Sequence, residues 1–213
     1  MGTRGTYGVR IDGTDKLVYN GFDSYPGGLG ADIVREIRAM LGDWGIDGLR
    51  GKARNLRSVQ GQECPTPEEA AALRARTDKR PAHNEPWRSI LRDEQGSLLA
   101  NLKTGVICGA NSFILDSLFC EYGYIVDLDK MRFEVYEGFQ KSPHDRGPYA
   151  DHVPSDKDPL KYYPCALAFS FPLDRIPDNW AALAFPRHAQ DEDAQDEDGQ
   201  DEVVVAEDGA AAP

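Results

Sequence analysis

Thr3-Arg-Gly-Thr-Tyr-Gly-Val-Arg-Ile-Asp-Gly-Thr-Asp-Lys-Leu-Val-Tyr-Asn20 is the stretch that decides the fold class. Tyr7, Val9 and Ile11 alternate with Gly8 and Arg10, Asp12-Gly13 is a tight-turn dipeptide, and Leu17 and Tyr19 resume the alternation. Period-two spacing on both sides of Asp-Gly predicts a β-hairpin over 3–20. Tyr122 to Asp127 and Arg132 to Phe139 read as a second hairpin, turning at Asp127-Leu-Asp-Lys130, with Phe133, Val135 and Phe139 on one face. Tyr163 to Phe171 reads as a last strand, with Cys165, Leu167, Phe169 and Phe171 pointing one way and Ala166, Ala168 and Ser170 the other.

Helical spacing lies between the hairpins. Ile33, Val34, Ile37, Met40 and Leu41 make one apolar stripe, and Gly42 is placed to end that helix as a C-cap. Residues 43–65 do not choose between helix and strand. Thr66-Pro-Glu-Glu69 starts a helix that runs to about Arg76: Thr caps it, Pro takes the first helical position, and acids fill the first turn. Pro86 opens another helix with Trp87, Ile90 and Leu91, which Gly96 interrupts before Leu98, Leu99 and Leu102 continue the apolar face. The expected class is α+β: an antiparallel sheet of about five strands in hairpins, with three to four helices packed on one face. Residues 1–187 are expected to form one α+β domain, and 188–213 a disordered acidic tail.

Composition narrows the function classes. Hydrophobic residues are 40% and charged residues 28%, a slightly polar globular mixture. No apolar run approaches the ~20 residues of a membrane-spanning helix, so no membrane partner is expected. Met1 to Asp15 is Gly-rich and polar and lacks the apolar centre of a signal peptide. A cytoplasmic setting with reduced thiols follows as the expectation. Residues 189–213 carry ten acids and no Lys or Arg, so of the net charge of −12 only −2 belongs to residues 1–188. The basic residues of the body are interleaved with acids. The densest runs, Arg50 to Arg57 and Arg74 to Arg80, have no aromatic residues between them to stack on bases. No duplex nucleic acid is expected as a partner. Cys64, Cys108, Cys120 and Cys165 form no Cys-x-x-Cys pair, and no metal or cofactor is expected.

Three segments carry a resemblance: the opening Met-Gly-Thr-Arg-Gly, Tyr-Asn-x-Phe-Asp-Ser-Tyr-Pro-x-Gly-Leu-Gly at 19–30, and 116–140, from Asp-Ser-Leu-Phe-x-Glu-Tyr-Gly-Tyr to Glu-Val-Tyr-Glu-Gly-Phe-Gln. In these the chain resembles a group of actinobacterial and bacteriophage proteins with no established activity. The resemblance covers roughly residues 1–175 and excludes the acidic tail. It implies a bacterial or phage cytoplasmic setting and an accessory role, and it transfers no catalytic residue.

Two loops hold the candidate site residues. Pro26-Gly-Gly-Leu-Gly30 precedes a helix, where backbone N–H groups and the helix dipole favour an anion. Gly27, Gly28 and Gly30 would cradle it, and Asn20, Asp23, Ser24 and Tyr25 would add directional contacts. The loop matches neither the dinucleotide fingerprint nor the P-loop. The second loop, Ser142-Pro-His-Asp-Arg-Gly-Pro-Tyr149, offers His144, Asp145 and Arg146 for proton transfer and anion contact. The first expectation is an accessory protein that binds a small anionic ligand, such as a nucleotide, between the two loops. The second is a hydrolase or transferase with His144 as general base, oriented by Asp145 or Asp23. The third is an interaction module that engages a basic protein partner through the acidic tail. Cys120 lies in an apolar run and reads as a buried thiol rather than a nucleophile, and Ser24 and Ser117 lack the G-x-S-x-G context of a serine hydrolase.

Overall fold

The computed structural model describes residues 2–154 and 160–186. The disordered tail expected from residue 188 lies outside the described residues. Five strands form one sheet: β1 (Gly5–Ile11), β2 (Thr14–Asn20), β5 (Tyr122–Asp127), β6 (Arg132–Glu137) and β7 (Ala166–Pro172), in the order β2-β1-β5-β6-β7. Both predicted hairpins are present, with Ile11 opposite Thr14 and Asp127 opposite Arg132. The fold is α+β, and the sheet is mixed rather than wholly antiparallel. The two hairpins abut through β1 and β5, which run parallel from Gly5 opposite Tyr122. Such a pairing needs a long crossover, and residues 21–121 provide it. Two short strands, β3 (Arg57–Val59) and β4 (Val106–Cys108), add a separate parallel pair.

Five helices complete the order: α1 (Ala31–Asn55), α2 (Pro67–Arg76), α3 (Trp87–Ile90), α4 (Leu98–Thr104) and α5 (Trp180–Ala184). Gly42 does not end α1. The backbone breaks three residues later, at Gly45 (φ 62°), and the helix resumes to Asn55. Leu49 and Ala53 are fully buried, and their packing outweighs the helix cost of the glycines. The second half of α1 ends on Lys16, whose Nζ donates to the carbonyls of Ala53, Arg54 and Leu56 at 2.8, 2.9 and 2.7 Å. The start of α2 is as read from sequence, with a reciprocal capping box between Thr66 and Glu69. The basic run Arg50 to Arg57 is largely spent on the fold: Arg50 donates to the Leu128 carbonyl, Arg54 pairs with Asp12, and Arg57 pairs with Glu69.

One sheet face packs on α1 and α5 through Tyr7, Val9, Tyr124, Val126, Phe133, Val135 and Phe171. Along β7 the expected single apolar face does not hold. The register slips between Val135 and Tyr136, so Phe169 and Phe171 follow the first face while Cys165 and Leu167 join the second. One extra residue in a strand reverses the alternation beyond it.

The second face carries a buried ionic centre. Arg10 of β1 donates to Asp15 (2.7 Å), Asp127 (3.1 Å), Glu134 (2.8 Å) and the Tyr149 hydroxyl (2.9 Å). Tyr149 in turn donates to Asp15 at 2.5 Å, and Tyr136 donates to Glu134 at 2.6 Å. Asp127 also accepts the backbone N–H groups of Asp129 and Lys130, which closes the turn of the second hairpin. Among the described residues no helix is long and apolar enough to cross a membrane.

Removing the cation would strand three carboxylates at this centre. Arg10→Met is expected to cost about 3–5 kcal/mol in urea unfolding, and Tyr149→Phe about 1 kcal/mol. Alkali should act on the same centre. Burial, then the nearby carboxylates, hold the Tyr136 and Tyr149 phenols well above their ordinary value, and burial does the same to Tyr7 and Tyr124. The unfolded chain ionises these groups from about pH 10 upward while the native chain keeps its protons. Stability is therefore full below that pH and falls above it, which thermal melts from pH 8 to 11 would record.

Candidate functional site

The Gly-rich loop folds as a tight π-type turn over Pro26–Gly30 that leads into α1. The amides of Gly28, Leu29 and Gly30 are committed internally. Gly28 N–H donates to the Tyr25 carbonyl at 3.0 Å and Leu29 N–H to the Asp23 carbonyl at 2.8 Å, while Gly30 N–H reaches Tyr25 at 3.5 Å. The glycines themselves answer to crowding. A Cβ at Gly28 would lie 2.3 Å from the Asp23 carbonyl oxygen, and one at Gly30 would lie 2.6 Å from Trp180 and 2.9 Å from Tyr124. Asn20 and Ser24 are buried and bonded to each other at 2.8 Å, and the Ser24 carbonyl accepts the Tyr124 hydroxyl at 2.9 Å. Of the predicted residues here, Asp23, Tyr25 and Gly27 are exposed.

The His144 loop crosses the other sheet face, with Tyr149 and Leu167 packed in the second core cluster. Among the described residues no hydrogen bond or ion pair joins 20–30 to 142–152. His144 Nε2 lies 2.9 Å from the Pro164 carbonyl, and its Nδ1 accepts the Arg146 N–H at 3.2 Å. In that tautomer both ring nitrogens are occupied by backbone, so no lone pair is free to take a substrate proton. Asp145 is exposed and makes no bond to the ring, while the Arg146 guanidinium donates to Gln140 at 2.9 Å. Among the described residues no group of three or more His, Cys, Asp or Glu side chains is placed to hold a metal ion.

What does converge is the two distinctive segments, 19–30 and 116–140, at one end of the sheet. Residues 2–4 lie between them. Ser24 N–H donates to Thr3, Glu121 N–H donates to Arg4, and Arg4 N–H donates to the Glu121 carboxylate at 3.0 Å. Gly138 N–H then donates to Glu121, and Phe139 N–H to Ser117 at 2.7 Å. This end carries four exposed aromatic side chains: Phe22 (52%), Tyr25 (46%), Phe119 (43%) and Phe139 (53%). The Arg4 guanidinium stacks 4.8 Å above Phe119. Beside Phe139 a concavity of about 380 Å³ is lined by Glu121, Tyr122, Glu137, Gln140 and Arg146.

Phe139 does not continue the face of Phe133 and Val135. The strand stops at Glu137, and Phe139 turns outward with φ 55°. A bulky residue in the left-handed region is an outlier, and here it also exposes a large apolar ring. Residue-by-residue reading did not select Phe22, Phe119, Glu121, Glu137 or Phe139 as candidate site residues. The available signal was the pair of distinctive segments, which needed the parallel β1–β5 pairing to be brought together. No protein-family model, curated protein or solved structure matches the chain.

Gly30→Ala is expected to destabilise the chain by about 1–3 kcal/mol through overpacking against Trp180 and Tyr124. Gly27→Ala, whose Cβ would meet Tyr25 only at 3.7 Å, should change thermal stability by less than about 1 kcal/mol.

Proposed function

We propose that this chain is an accessory binding protein of a bacterial or phage cytoplasm, and that the aromatic end of the sheet is its recognition surface. The observation that carries the reading is Phe139, a half-exposed ring held on a left-handed backbone at the sheet end that also carries Phe119, Phe22 and Arg4. Neither feature stabilises a free monomer, and both suit a surface that is covered when occupied. The occupant is a polypeptide that presents an apolar side chain next to a Lys or Arg. The apolar group covers Phe139 and Phe119, and the cation enters the concavity toward Glu137 and Glu121. The Glu137 carboxylate has no cation partner among the described residues. Large rings with a charged rim are the usual anchors of such contacts.

The binding reading is preferred to the enzyme reading because the His144 ring is engaged on both sides by backbone. It is preferred to an anion site between the two loops because the Gly28, Leu29 and Gly30 amides already have acceptors.

Selection of a displayed random-peptide library on the full chain tests the proposal. Enriched peptides should pair an apolar residue with Lys or Arg. Their affinity should fall at least about tenfold for Phe139→Ala and for Glu137→Gln, with melting temperatures near that of the parent chain. Phe169→Ala removes another exposed ring, at the sheet's β7 edge, and should leave affinity unchanged. Equal losses in all three variants, or enriched peptides without a cation, would overturn the assignment.

A further inference from the structure

Cys120 precedes β5 and Cys165 precedes β7, and β6 separates these strands in the sheet. The two cysteines nevertheless meet, because β6 ends at Glu137 and only the side-chain-free Gly138 follows it there. Gly138 makes the approach feasible, since a Cβ there would fall 2.0 Å from the Cys120 carbonyl oxygen. The Cys165 thiol donates to that same oxygen at 3.2 Å. Cys165 is held in place by its own N–H, which donates to Ile114 at 2.9 Å. Both residues are fully buried in the second core cluster, with Ile114, Ile125 and Tyr136 around them. The Cys120 thiol donates to the Tyr122 carbonyl at 3.4 Å.

We propose that Cys120 and Cys165 are a disulfide-forming pair, which closes when the chain meets a small-molecule disulfide such as oxidised glutathione. One cysteine thiolate attacks the glutathione disulfide, forms a mixed disulfide and releases one glutathione thiolate. The second cysteine thiolate attacks the protein sulfur of that mixed disulfide and releases the other. Two cysteine thiols are oxidised, one glutathione disulfide is reduced to two thiols, and the two cysteine protons end on the released thiolates. The new bond ties the start of β7 to the start of β5 and encloses β5, β6 and the His144 loop.

Two features separate this pair from the other cysteines. Cys64 is exposed, and Cys108 lies in a different cluster with Trp87 and Leu91. Burial pushes the Cys120 thiol well above its ordinary range, with Cys165, Asp116 and Glu121 adding to the effect. Attack in the closed native state is therefore slow. The bond forms while the chain folds, or when the segment before β7 opens.

The test is refolding of the full chain in a reduced and oxidised glutathione buffer, followed by acid quench, alkylation and a non-reducing peptide map. The expected result is a Cys120–Cys165 linked peptide as the dominant disulfide, Cys64 alkylated or glutathionylated, and a melting temperature about 5–10 °C above that of the reduced chain. Dithiothreitol should reverse both the link and the shift. Recovery of Cys120 and Cys165 as separate alkylated or glutathionylated peptides, or paired with Cys64 or Cys108, overturns the proposal. The parent chain decides the question, so it does not depend on whether a Cys165→Ala variant folds. Where that variant folds, its melting temperature should not respond to the glutathione ratio.

Discussion

A single guanidinium organises the second face of this protein. Arg10 projects from the middle of the sheet into a layer that would otherwise be apolar, and draws together carboxylates from β2, β5 and β6. Three acids around one cation cannot remain buried without further donors. The donors are supplied by Tyr136, Tyr149 and the turn amides of Asp129 and Lys130. Tyr149 belongs to the long connection between β6 and β7. The same centre that fixes the register of the two hairpins therefore pins the loop that covers them. The first face needs no such device, because α1 and α5 cover it with ordinary apolar packing.

That division explains where a recognition surface can lie. Both faces of the sheet are closed, one by helices and one by the pinned loop. The end at Gly5, Tyr122 and Glu137 remains, and there the chain places open aromatic rings on a rigid base. Rigidity comes from backbone bonds that thread residues 2–4 between the two distinctive segments. A preformed apolar end with fixed side-chain positions lowers the ordering cost of association. The buried thiol pair lies beneath the same end, so a covalent tie there would stiffen the base without altering the exposed rings.

Much of this was legible in sequence. Alternation around Asp12-Gly13 and around Asp127 to Lys130 gave both hairpins, and Thr66 to Glu69 announced its capping box, because these signals are local. Three features were not legible, for physical reasons. The parallel β1–β5 pairing is a contact across more than a hundred residues, and no local period encodes it. The break in α1 falls at Gly45 rather than Gly42, because burial of Leu49 and Ala53 decides it. The slip near Tyr136 reverses the inside and outside of β7, which alternation alone cannot foresee. The candidate site was only half legible for a related reason. The Gly-rich loop has the composition of an anion cradle, yet its glycines serve close packing against Trp180, Tyr124 and Asp23. His144 has the chemistry of a base, yet its ring serves as a backbone clasp.

The sheet end is the proposed site of the partner. Hydrogen–deuterium exchange of the full chain, with and without a saturating selected peptide, tests it most directly because it reads every segment at once. New protection is expected to be confined to Phe22–Tyr25, Phe119–Tyr122 and Glu137–Gln140. Protection centred instead on the outer half of α1, on α2, or beyond residue 187, with those three segments unchanged, would contradict it.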